Sequence, residues 1–160
     1  MDQSTPIYTC YIYCRINNVV YVLGVQRQDT MSMIGDIELW NVPMFYLKTD
    51  ESRGVEDVAG KIKDEYDINI PKECVKLYSI DVILTPDYKR YEVFNYFVDL
   101  GELNELPGII CNKDSTYAEW TSIYEASRQE WVNKQFTNIL DIYETDITNI
   151  KQDKTLRRHK

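Results

Sequence analysis

The sequence predicts an α/β sandwich, a mixed β-sheet with a helix on each side. Three observations carry this. Six stretches alternate or run apolar over strand lengths, two longer ones repeat their apolar residues at helical spacing, and the two kinds interleave along the chain. At 160 residues, with 44% hydrophobic and 28% charged residues, the chain has the size and composition of one globular domain. The expected domain is residues 1–146, and 147–160 is a basic polar tail expected to fray.

Ile7 to Cys14 and Val19 to Gln26 read as two antiparallel strands around the hairpin signal Arg15-Ile-Asn-Asn18. The second is almost continuously apolar and is expected at the centre of the sheet. Trp40 to Leu47 is apolar and strand-like, and Lys48 to Ser52 is a polar turn. From Arg53 to Tyr66 the apolar residues Val55, Val58, Ala59, Ile62 and Tyr66 line one helix face. A neighbouring stripe carries Asp57, Lys61, Asp64 and Glu65, and Pro71 is expected to stop the helix. Val75 to Leu84 and Arg90 to Leu100 are further strands joined by the turn Pro86 to Lys89. The second sets Tyr91, Val93, Asn95, Phe97 and Asp99 on one face. Tyr117 to Trp120 is a short strand, and Thr121 to Ala126 a cap and helix start. The last helix is expected from about Arg128 to Asp146, burying Trp131, Phe136, Ile139, Leu140 and Tyr143.

The turn, the acid-striped helix and the apolar loop after it resemble the Nudix box. Gly60-Lys61-Ile62-Lys63-Asp64-Glu65 follows the end of that family's Arg-Glu-aliphatic-x-Glu-Glu run, keeping the aliphatic residue and the last two acids. Gly60 stands where the family has Arg, and Lys61 where it has Glu. Bulky Met44, Phe45 or Tyr46 replace glycines, and one extra residue separates Glu51-Ser52 from the helix run. The likeness spans about residues 7–145 and implies a Nudix-type α/β/α sandwich. Trp131-Val-Asn-Lys-Gln135 is similar to a Trp-x-Asn-Arg-Gln segment of the dATP and dihydroneopterin-triphosphate pyrophosphohydrolase branch.

What the resemblance implies for chemistry follows residue by residue. Glu51, Asp64 and Glu65 are the metal ligands, for Mg2+, if the site works. Asp114, with Glu119 second, is the general base. Arg27, at a strand end, Trp40, Asn133 and Lys134 are the substrate-binding candidates. Lys61 disables the site: a cation about 4 Å from where a metal should sit costs on the order of 4 kcal/mol at an effective dielectric of 20. A plain solvated helix face with i,i+4 pairs, Lys61 to Glu65 among them, is the competing reading of the same residues. For Trp40 the competing reading is core packing, and for Arg27 an exposed strand end.

The function expected is a Nudix-fold binding module with little or no hydrolysis, for a nucleotide or nucleoside diphosphate derivative or for a protein partner. The alternative is an active Mg2+-dependent pyrophosphohydrolase. A homodimer is a further arrangement the resemblance allows. The net charge of −8 disfavours non-specific nucleic-acid or anionic-membrane binding. No run of eighteen apolar residues occurs and the N-terminal MDQSTPIY is polar, so neither a membrane span nor a signal peptide is expected. Cys10, Cys14, Cys74 and Cys111 form no CxxC pair, and the one histidine is His159. They are read as small buried hydrophobes in a reducing, cytoplasmic setting.

Overall fold

The computed structural model describes residues 5–27, 39–45, 55–84, 86–112, 116–132 and 134–145. Its strands are β1 (Thr5–Ile16), β2 (Val19–Arg27), β3 (Met44–Phe45), β4 (Val75–Leu84), β5 (Arg90–Glu102) and β6 (Thr116–Ser122). The helices are α1 (Val55–Tyr66), the single turn α2 (Ile123–Ala126) and α3 over 135–145. The six strands form one mixed sheet, ordered β4-β5-β1-β2-β6, with β3 also on β1.

Local chemistry explains these elements. Asn17 and Asn18, both at positive φ, make the two-residue turn of the β1–β2 hairpin, where asparagine tolerates the left-handed region. α1 ends at Tyr66 because Asp67 turns left-handed (φ 57°) and its N–H reaches back to the Lys63 carbonyl at 3.0 Å. The helix therefore stops at Asp67, four residues before Pro71. Ser122 and Glu125 form a reciprocal capping box on α2.

β1, not β2, holds the centre, because it is the strand that pairs in parallel with β5, from Thr5↔Tyr91 to Arg15↔Glu102. Its pairing with β2 covers only Tyr13 to Ile16. Upstream the two strands splay, and the segment 41–45 wedges between them through Cys10 N–H to Pro43 and reciprocal Val25–Asn41 bonds.

Alternation sends side chains to two cores. On one face Tyr8, Cys10, Ile12, Leu23, Tyr96, Val98 and Trp120 meet Val58, Ile62 and Tyr66 of α1. On the other Tyr11, Val20, Val22, Val42 and Trp131 meet Ile139, Ile142 and Tyr143 of α3. The result is the expected α/β/α sandwich. Cys10 and Cys14 are buried on the α1 face, and all four cysteines are free. Burial, then the nearby Asp99 charge, pushes the Cys14 thiol up to about 11.

The C-terminal helix differs from its sequence expectation. It begins at residue 135 rather than about 128, because Trp131 is held outside it in a parallel bridge to Trp40. Gly24 lies beneath both indoles: a Cβ there would sit 3.1 Å from Trp131 Cη2, 3.2 Å from Trp40 Cε3 and 3.3 Å from Thr121 Oγ1. Gly24→Val is expected to lower stability by about 1–3 kcal/mol through overpacking, read as a fall in the chemical-denaturation midpoint at unchanged slope.

Candidate functional site

Two regions can carry chemistry, one on each face of the sheet. On the first, α1 presents Asp57, Lys61, Asp64 and Glu65 one or two turns apart; Asp64 is exposed and the other three half-buried. Burial, and then the Glu65 charge, raises the Cys10 thiol. The loop that leads toward Asp114 docks on the end of this helix. Asn112 N–H donates to the Glu65 carbonyl at 3.0 Å, Asn112 Nδ2 donates to the Asp64 carbonyl, and Ile110 N–H donates to Tyr66 at 3.1 Å. An ion pair on the helix joins Lys63 to Asp67 at 2.6 Å.

Glu119 lies across the sheet from these acids. It shares a β6 face with Tyr117 and Thr121, and the Tyr117 hydroxyl donates to its Oε2 at 2.7 Å. That hydrogen bond raises the Tyr117 phenol above its ordinary value. Tyr117 and Trp131 both pack on Trp40, with ring centroids 6.2 Å away in each case. Asp64 and Glu65 are neighbours along α1, the first exposed and the second half-buried, and Glu119 is separated from them by the sheet. Glu51, Asp114 and Asn133 lie outside the described residues, as do the turn 48–52 and the tail 147–160. Arg27 is described by its backbone alone, paired with Thr116. Among the described residues no three His, Cys, Asp or Glu side chains are grouped to hold a metal ion.

The second region is a cavity of about 230 Å³ between the sheet and α3. Its polar wall comes from Thr9, Asp81, Asn95, Lys134, Gln135 and Asn138. Asn95, 2% exposed, organises it: Nδ2 donates to Asp81 Oδ2 at 2.8 Å and Ser79 Oγ at 3.0 Å, while Oδ1 accepts from the buried Thr9 hydroxyl. Gln135, 6% exposed, ties α3 to the wedge segment. It accepts from Val42 N–H at 2.9 Å and donates to Asn41 Oδ1. Asn138 Nδ2 donates to the Tyr11 hydroxyl at 2.9 Å, and burial raises that phenol. The wall thus sets one cation, Lys134, and one carboxylate, Asp81, beside fixed amides.

Lys134, a candidate from the sequence, therefore lines a cavity. Asn95, Asp81 and Gln135 were not among the candidates. Asn95 had a visible signal, as the polar residue amid the inward row Tyr91, Val93 and Phe97.

No family model and no curated protein matches the sequence. Solved structures do. The Nudix domain of Shewanella oneidensis NrtR, complexed with ADP ribose, superposes with a TM-score of 0.71 at 11% identity, covering 91% of this chain and 90% of that one. The bifunctional NMN adenylyltransferase/ADP ribose pyrophosphatase of Francisella tularensis, complexed with AMP and manganese, gives 0.67 at 17% identity; 91% of this chain spans 43% of that one. The Caenorhabditis elegans Ap4A hydrolase gives 0.61 at 11%, covering 93% and 98%. Likeness at these identities is likeness of fold, and the fold is the Nudix fold.

Proposed function

We propose that this chain is a Nudix-fold binding module for a nucleotide derivative, with little or no hydrolysis. The observation that carries the reading is the cavity that gathers Lys134, Asp81 and the Asn95 network under α3. Lys134 supplies the cation for a phosphate, and Asp81 accepts from a ribose hydroxyl or an exocyclic amine. ADP ribose and AMP, the ligands of two fold neighbours, are of this class.

The box supports binding over turnover. Mg2+ takes one or two carboxylates plus substrate phosphates in octahedral geometry. Asp64 and Glu65 offer two carboxylates, but Lys61 precedes them by about one turn and brings a competing cation, so these residues fit a resident metal poorly. The second reading, an active pyrophosphohydrolase using Glu51, Asp64 and Glu65 with Asp114 as base, has one observation in its favour. Asn112, two residues before Asp114, docks on the backbone of both acids.

Calorimetric titration with ADP ribose and AMP in the presence of EDTA tests the proposal. Binding is expected without metal, and Lys134→Ala is expected to weaken it about tenfold, close to 1.4 kcal/mol, with an unchanged melting temperature. Binding indifferent to that change removes the cavity from the argument. Phosphate or nucleoside monophosphate released by the wild type with Mg2+ or Mn2+, followed by phosphorus NMR, selects the second reading. Lys61→Glu is expected to gain metal affinity that the wild type lacks.

A further inference from the structure

β4 is a ten-residue strand at the end of the sheet, and among the described residues nothing pairs with its outer edge. Edge strands of this length are normally blunted by charge, proline or a bulge. Here a bulge interrupts the ladder between Leu77 and Ser79, and beyond it the run Ile80-Asp-Val-Ile-Leu84 is regular. Ile80, Val82 and Leu84 stand on the α1 face opposite Phe94, Glu92 and Arg90, and are 52%, 52% and 71% exposed. Leu77, on the same face, is half exposed. A row of exposed β-branched and leucine side chains beside a backbone edge that no described residue pairs is a template for another strand.

The row is complementary to itself in one register. In an antiparallel pair related by a two-fold axis at Val82, Val82 faces Val82 of the second copy. Ile80 then faces Leu84 on either side, so three apolar pairs form on one face. On the other face Asp81 meets Ile83 of the second copy. Centring the axis on Asp81 would set two carboxylates directly opposite, which is destabilising. Centring it on Ile80 would run the ladder through the bulge and oppose Leu84 with Lys76. Charge, bulge and apolar pattern thus favour the Val82 axis.

We infer that β4 pairs with β4 of a second copy of this chain, joining two sheets edge to edge through Val82. The occupant is a like chain because one short sequence supplies both halves of every pair. The pairing stands independently of the ligand reading. Asp81, Val82 and Ile83 also line the cavity.

Sedimentation velocity at micromolar concentration is expected to give a species of about twice the 18.9 kDa chain mass. Val82→Lys opposes two lysines across the axis and is expected to raise the dissociation constant about a hundredfold or more. Its circular dichroism and melting curve report that the exposed position still folds. Ile80→Lys and Leu84→Glu should each weaken the dimer, and the double change should restore it, since the register makes them partners. A wild type that stays monomeric, or a dimer indifferent to Val82→Lys, overturns the inference. Failure of the double variant to recover over the single ones overturns this register and the pairing as stated.

Discussion

Replacing Trp131 by alanine is expected to lower the free energy of unfolding by about 3–5 kcal/mol, the cost of emptying a large aromatic site. Its indole lies over Gly24 and against Trp40, and its Nε1 donates to the Ala126 carbonyl at 2.9 Å. Its backbone belongs to the same clamp. Trp40 N–H donates to Glu130 at 2.8 Å, and Val132 N–H donates to Trp40 at 2.9 Å. Losing the ring empties the space over β2 and leaves the Ala126 carbonyl to the Gln129 N–H alone, at 3.2 Å. Trp131→Phe, which keeps most of the area but not the donor, should cost less than half as much. Equilibrium denaturation of both variants checks this. Equal losses would mean that the hydrogen bond, not the packing, holds the segment.

The same residue shows what was legible in the sequence. The spacing of Trp131 to later apolar residues fits a helix and makes it the first member of the expected buried stripe. A bridge to Trp40, distant in sequence, pulls it out of that helix instead, and local periodicity carries no trace of such a partner. Where local chemistry decides, sequence and structure agree: the Asn17-Asn18 turn, the β4 limits, the β5 alternation and a cap and helix start within 121–126. β1 took the centre because parallel pairing with β5 is a long-range choice that hydrophobicity alone does not rank.

The candidate site divides on the same line. Asp64, Glu65 and Lys61 can be grouped because they lie within one helix, at spacings a sequence displays. Glu119 is the second candidate base, but strand alternation turns it to the face opposite those acids. The cavity joins residues from β1, β4, β5 and α3, so among its polar members the sequence marks only Lys134, through a short motif. Gln135, the next residue of that motif, does the structural work. Its side chain satisfies a buried backbone N–H and an asparagine, a role that depends on the wedge segment alone.

Asn95→Leu is expected to cost about 2–4 kcal/mol, because a buried polar partner is removed while its own partners stay. The loss is not shared evenly. Asp81 is exposed and Ser79 half-buried, so water can replace the bonds they accept. Thr9 is 2% exposed and its hydroxyl donates to Asn95 Oδ1, so its lost bond weighs most. Adding Thr9→Val to Asn95→Leu should therefore recover at least about 1 kcal/mol, since replacing both partners by apolar groups of like shape is nearly neutral. Ligand binding should not return with it. Asp81 would still lack the amide that holds its carboxylate, and the cavity wall would have become apolar. A double variant that regains stability but not ADP ribose affinity separates the two duties of the network. If it regains both, Asn95 is architecture only, and recognition rests on Lys134 and the α3 amides.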